Sequence, residues 1–197
     1  MSYHIYHTKG IVLGSAPSGE ASRHHLIFTR ELGLVWAKAQ AVRTMRSKLR
    51  HSLTDYTFGE FSLVRGKDIW RVTSARMHSN HYIDFGHAKD VRDTLVRITA
   101  LLKRLLHGEE RHDVLFDTVE SAIAFSQRHS FSTVSLAQFE SITVLRILHL
   151  LGYVGASPEL SAFVQSDEWT PELLTSFGVY SRQAIAMINQ SLKESQL

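Results

Sequence analysis

Residues Leu34–Ser52 read LVWAKAQAVRTMRSKLRHS. The first half alternates. Val35, Ala37, Ala39 and Ala41 fall on one face, and Leu34, Trp36, Lys38 and Gln40 on the other. A period of two predicts a strand, and small residues on one face suit the interior of a tight barrel. The second half carries Arg43, Arg46, Lys48 and Arg50, with no acid between Glu31 and Asp55. Like charges repel, so a one-sign run calls for an anionic partner or a solvated rim. A small-residue strand followed by an irregular basic segment sets the expected fold.

Outward from that stretch, four more segments read as strands: IYHTKGIVLGS from Ile5, RHHLIFTREL from Arg23, DYTFGEFSLVRG from Asp55 and DIWRVTSARM from Asp68. They are rich in β-branched and aromatic residues and are separated by Gly and Ser. Gly59 stands where a barrel strand bends. Five short strands, with the basic segment between the third and fourth, fit an OB-type barrel.

The texture changes near His81. Val91, Leu95, Ile98, Leu102 and Leu105 recur at steps of four and three, one apolar helix stripe that stops near Gly108. A second helix is expected over Asp113–Arg128. A third, over Ser132–Gly152, is apolar almost all round and therefore central, with Gly152 as its cap. Ser157-Pro158-Glu159 and Thr170-Pro171-Glu172 each place a cap residue before a proline at a first helical position. A last helix covers roughly Arg182–Lys193. The expected class is α+β: an OB barrel over residues 1–80, then a helical domain over 81–197.

Charge divides the same way. Residues 1–80 hold 12 Lys and Arg against 5 Asp and Glu, and residues 81–197 hold 10 against 14. The basic half is the one expected to face a polyanion. There is no cysteine, which excludes disulfides, thiolate metal sites and a cysteine nucleophile. No apolar run is long enough to span a bilayer, since SITVLRILHLLGYVGA is broken by Arg146 and His149. A cytoplasmic, nucleoid-associated protein is expected. No phosphate-cradling GxxxxGK[ST], GxGxxG or GxSxG occurs, so no enzyme, catalytic residue or cofactor is expected. The histidine pairs His4/His7 and His24/His25 have odd spacings that put partners on opposite faces of a strand, so no metal site is expected either.

The basic residues are candidate phosphate contacts: Arg23, Lys38, Arg43, Arg46, Lys48, Arg50, Arg65, Lys67 and Arg71. Trp36, on the same strand face as Lys38, and Tyr56, after the basic segment, are candidates for base stacking. Trp70 is expected to be buried. Arg146, alone on an apolar helix, needs an anion or an internal acid and is the candidate partner contact.

The order of these features resembles the RecO family of bacterial recombination mediators. The likeness is carried by GIVLGSAPSGEASRHHLIFTRELGLVWAKAQAVRTMRSKLRHSL from Gly10, FSLVRGKDIWRVTSA from Phe61 and FESITVLRILHLLGYV from Phe139. Gly19-Glu20, Phe28-Thr29, Gly33-Leu34, Arg46-Ser47-Lys48-Leu49 and Leu150–Tyr153 match the family pattern in order. The resemblance implies an N-terminal OB domain and a helical domain. It implies binding of single- and double-stranded DNA, strand annealing, and work with RecR and the acidic tail of single-stranded DNA-binding protein. The chain departs from the pattern in having Gln40-Ala41 where the family has Lys-Gly, in lacking a four-cysteine zinc insertion, and in its short helical part. Two other readings remain open on the residues alone: an OB-barrel RNA binder, and an adaptor whose barrel takes an acidic peptide.

Overall fold

The computed structural model describes residues 4–40, 42, 49–155 and 157–195. Arg43, Arg46 and Lys48 of the basic run lie outside the described residues. The chain divides into two units, Met1–Ala88 with Leu106–Asp113, and Lys89–Leu105 with Val114–Leu197.

The first unit is built on five strands: β1 (Ile5–Ser18), β2 (Ser22–Thr29), β3 (Gly33–Ala39), β4 (Thr57–Arg65) and β5 (Trp70–Asn80). They close into a barrel in the order β1-β2-β3-β5-β4. Only β3 and β5 pair in parallel; the other pairs are antiparallel. This is the five-stranded OB barrel expected from the alternation in Leu34–Ala41. Val35, Ala37 and Ala39 are 1%, 0% and 0% exposed, whereas Trp36 is 46% exposed. Ala37 stands beside Trp70 across the β3–β5 pair. The largest side chain of the interior therefore meets one of the smallest, which is how a narrow barrel is filled. Val12, Ile27, Phe61, Leu63 and Val72 complete that core. The expected bend at Gly59 is a register shift between Phe58 and Gly59. A Cβ there would stand 2.2 Å from the Arg76 carbonyl oxygen.

At the end of β5, Asn80 ties the barrel together. Its Oδ1 accepts from the amides of Tyr82 and Ile83 and so caps the short helix α1 (His81–Asp84). Its Nδ2 donates to Thr54 Oγ1, Thr57 Oγ1 and the Asp55 carbonyl, each at 3.0 Å. This clasp pins the segment before β4 and leaves Tyr56 with a φ of 70°. Helix α1 is anchored by the last residue of β5 and lies in the first unit, whose first segment runs to Ala88.

The stretch Leu106–Asp113 also belongs to the barrel unit. The Gly108 carbonyl accepts from the Leu34 amide at 3.0 Å. Gly33 has a φ of +69°, and a Cβ on it would lie 2.1 Å from the Glu110 carbonyl oxygen. Gly33→Ala therefore meets two penalties, a left-handed backbone and a backbone overlap. We expect it to destabilise the barrel unit by about 2–4 kcal/mol, read as a lower urea midpoint. An unchanged midpoint would mean that this strap does not hold β3.

The second unit contains α2 (Lys89–Leu105), α3 (Asp113–Arg128), α4 (Thr133–Leu150), α5 (Ser161–Val164), α6 (Pro171–Phe177) and α7 (Ser181–Glu194). Helix α4 is central, touched by α2, α5, α6 and α7, as its nearly all-round apolar surface requires. Ser132 caps it through a reciprocal bond with Ser135, and Gly152, with a φ of +79°, terminates it. Thr170 and Pro171 start α6 as expected. Ser157-Pro158-Glu159 does not start a helix. A turn occupies residues 158–160, Ser161 Oγ donates to the Pro158 carbonyl, and the single helical turn α5 begins only at Ser161.

Candidate nucleic-acid interface

Strand register decides which basic residues share a surface. His24 of β2 pairs with Lys38 of β3, and Lys38 pairs with Arg71 of β5. All three alternate with interior residues, so they form one row across three adjacent strands on the outer face of the barrel. Trp36 lies two residues before Lys38 on the same face, its indole almost half exposed. Lys38 is half-buried and Arg71 exposed, and neither has an ion pair among the described residues. The row thus offers cations at strand spacing beside a flat aromatic surface. Phosphates attract the first and bases stack on the second.

Other candidates are placed differently. Arg50 and Lys67 are exposed. Arg23 is half-buried and donates from Nη2 to Ser15 Oγ at 2.9 Å. Arg65 is held by both carboxylate oxygens of Glu109 and lies over the Trp70 ring, 4.9 Å from its centroid. Trp70 is 5% exposed, as expected of a core residue, and its Nε1 donates to Glu109 at 3.0 Å. Burial alone would raise the Glu109 carboxyl; the hydrogen bonds from Arg65 and Trp70 outweigh it and hold the group below its ordinary range. Arg65 is therefore neutralised by an acid 44 residues away in sequence. Tyr56, expected to stack on bases, is half-buried and stacks on Tyr82, with ring centroids 5.6 Å apart.

Arg146 is 1% exposed. Its Nε donates to the Phe163 carbonyl at 2.7 Å and one Nη to the Glu168 carbonyl at 3.1 Å. Its guanidinium carbon lies 4.3 Å from the centroid of the Trp169 ring. Burial pushes the guanidinium down to about 10, while the charge of Asp167 pulls it the other way. It stays protonated at neutral pH. Carbonyl oxygens and a π-face surround the guanidinium, and Asp167 is the internal acid whose charge acts on it.

Sequence reasoning missed His24 and Glu109. His24 is placed outward by the register of β2 against β3, and the unbroken run of buried residues from His25 to Thr29 hides that alternation in the sequence. Nothing local marks Glu109, whose role depends on a strap that returns to the barrel. Among the described residues, no three His, Asp or Glu side chains converge as metal ligands would, and no helix is long and apolar enough to cross a membrane.

The fold and this outer row define the class, an OB-fold barrel with a basic, aromatic face, joined to an α-helical unit. Comparison with known proteins adds what the chain is similar to. Residues 1–81 match the family described as Recombination protein O N terminal. The chain is 23% identical over 193 residues to the DNA repair protein RecO of Dehalococcoides mccartyi, covering 98% of this chain and 72% of that one. It is 33% identical over 165 residues to the DNA repair protein RecO of Acetivibrio thermocellus, covering 80% and 60%. It is 27% identical over 153 residues to that of Desulfitobacterium hafniense, covering 76% and 52%. The chain is thus similar to DNA repair proteins RecO along most of its length, and its residues 1–81 match that family's N-terminal part.

Proposed function

We propose that the chain is a non-enzymatic recombination mediator that binds single- and double-stranded DNA through its barrel and anneals complementary strands. The observation that carries this reading is the cross-strand row of His24, Lys38 and Arg71 with Trp36 beside it. Cations at strand spacing suit a backbone of regularly spaced phosphates, and phosphate contacts do not depend on base sequence. Arg50 and Lys67 are further exposed cations of the barrel unit. Arg43, Arg46 and Lys48 lie outside the described residues and are proposed as further phosphate contacts on the charge of the basic run alone, so changing Arg46 and Lys48 belongs in the same series. Annealing requires only that two strands be held with their bases free. RecR and the acidic tail of single-stranded DNA-binding protein are the proposed partners, supported by the similarity to RecO alone. The cytoplasmic nucleoid is the proposed location.

The test is anisotropy titration of matched single-stranded DNA, duplex DNA and RNA, with an annealing assay in the presence and absence of the cognate single-stranded DNA-binding protein. DNA binding with accelerated annealing supports the reading. A preference for RNA would make it an OB-fold RNA binder. Tight binding of an acidic peptide with no nucleic-acid binding would make it an adaptor.

Glu109 supplies a further check. Glu109→Gln removes the charge that neutralises Arg65 and should strengthen single-strand binding up to about fivefold at 0.1 M salt, the worth of one phosphate contact. Arg65→Ala alone should change affinity less than about twofold, because that cation is already occupied. A large loss in Arg65→Ala would show that phosphate displaces Glu109.

A further inference from the structure

At one mouth of the barrel lies a cleft of about 540 Å³. Ser15, Arg23 and His25 come from β1 and β2, and Arg50, Leu53 and Asp55 from the segment between β3 and β4. A short chain of hydrogen bonds organises its polar side. Arg23 donates to Ser15 Oγ at 2.9 Å, and Ser15 Oγ donates to Asp55 Oδ1 at 2.8 Å. The Nε of Arg23 is enclosed without a partner among the described residues.

His25 is the unusual member. It is 1% exposed, and neither ring nitrogen has a hydrogen-bond partner among the described residues. Buried polar atoms without partners are costly and rare in native folds. Burial first, and then the Arg23 charge, push its imidazole down to about 4, so at neutral pH it offers one donor and one acceptor. Among the described residues, the cleft is lined by two guanidiniums and one carboxylate, and that carboxylate already accepts from Ser15. The surplus is positive and selects an anion. The volume greatly exceeds that of a phosphate, and Leu53 gives it an apolar wall, so the anion should carry a ring.

We propose that this cleft captures one nucleotide of a single DNA strand, its phosphate between Arg23 and Arg50 and its base inside, with the hydrogen-bonding edge toward His25. The proposal rests on the DNA-binding reading above. It requires a single strand, because in a duplex that edge is already paired. The cleft would give a mediator a grip on one base while its neighbours stay free to find their complements.

The experiment uses the full chain and two probes of equal length, an oligothymidylate with one central 2-aminopurine and a wholly abasic strand. Anisotropy reports binding, and 2-aminopurine emission reports unstacking of the base. The wild type should brighten the 2-aminopurine and prefer the base-bearing strand. His25→Phe keeps the shape of the ring and removes both nitrogens. It should lose the brightening and reduce the preference by about tenfold, one base contact. Arg50→Ala changes an exposed residue and tests the phosphate half even if His25→Phe does not fold. It should weaken both strands alike by about fivefold. Equal brightening and equal base preference in wild type and His25→Phe would overturn the proposal, as would full affinity in Arg50→Ala, with DNA binding itself intact. Absence of anisotropy change with every strand would instead remove the DNA-binding reading and this proposal with it.

Discussion

The double variant Lys38→Ala, Arg71→Ala is expected to bind single-stranded DNA about twenty- to thirtyfold more weakly at 0.1 M salt. Each phosphate contact on a single strand contributes about 0.7 to the slope of log affinity against log salt. Losing two should make that slope shallower by about 1.4 and lower affinity most where salt is lowest. The loss should be the same for every base sequence, because the row meets the backbone. Adding Trp36→Ala removes a stacking surface and should cost a further 1–3 kcal/mol, about thirtyfold at the middle of that range, with little salt dependence. Lys38 and Arg71 make no ion pair among the described residues, and Trp36 is almost half exposed. Folding stability should therefore shift by less than about 0.5 kcal/mol. Anisotropy titrations across a salt series read both quantities. A double variant with wild-type affinity and slope would reduce the row to a solvated strand face and move attention to Arg50 and Lys67.

Arg146→Ala should destabilise the helical unit by about 3–5 kcal/mol. The change empties the space beneath the Trp169 ring, and cavities of that size in a packed helical core cost about that much. It also leaves the carbonyls of Phe163 and Glu168 without the donor they now share. An enclosed carbonyl that loses its partner costs about 1–3 kcal/mol. Those two carbonyls flank the turn between α5 and α6, so the loss should loosen that segment first. Arg146→Met fills most of the volume without donating and should fall between the wild type and the alanine variant. Urea unfolding followed by the helical circular dichroism signal measures all three. A change within about 1 kcal/mol for Arg146→Ala would mean that water replaces the guanidinium at no cost.

Much of the fold was legible because its signals are local. The alternation from Leu34 to Gln40 needs only the pleat of one strand, and it separated the alanines of the interior from Trp36 and Lys38. The four-and-three stripe of Val91–Leu105 needs only the pitch of one helix, and the all-round apolar surface of α4 marked it as central. Thr170-Pro171 could be read as a helix start because the cap and the proline act within one turn. Ser157-Pro158 carries the same pair and makes a turn, since a cap permits a helix without supplying the buried face that sustains one. The candidate interface was legible only in part. Composition singled out the cations, but it could not say which of them remain unpaired.

That distinction belonged to the tertiary structure. Closure of the barrel sets the register that aligns His24, Lys38 and Arg71, and register between distant strands leaves no trace within either one. The strap at Glu109 returns across 44 residues to occupy Arg65, so two arginines alike in sequence, Arg65 and Arg71, differ in what they can bind. Arg146 finds carbonyl oxygens as well as the charge of Asp167, because a folded turn can direct several backbone dipoles at one cation. By itself the sequence determined the elements, the small-residue interior and the sign of the charge, since these follow from geometry repeated every two to four residues. Only the tertiary structure decided which charges stay free, because a charge is neutralised by whatever the chain brings within a few ångströms of it, at any distance along the sequence.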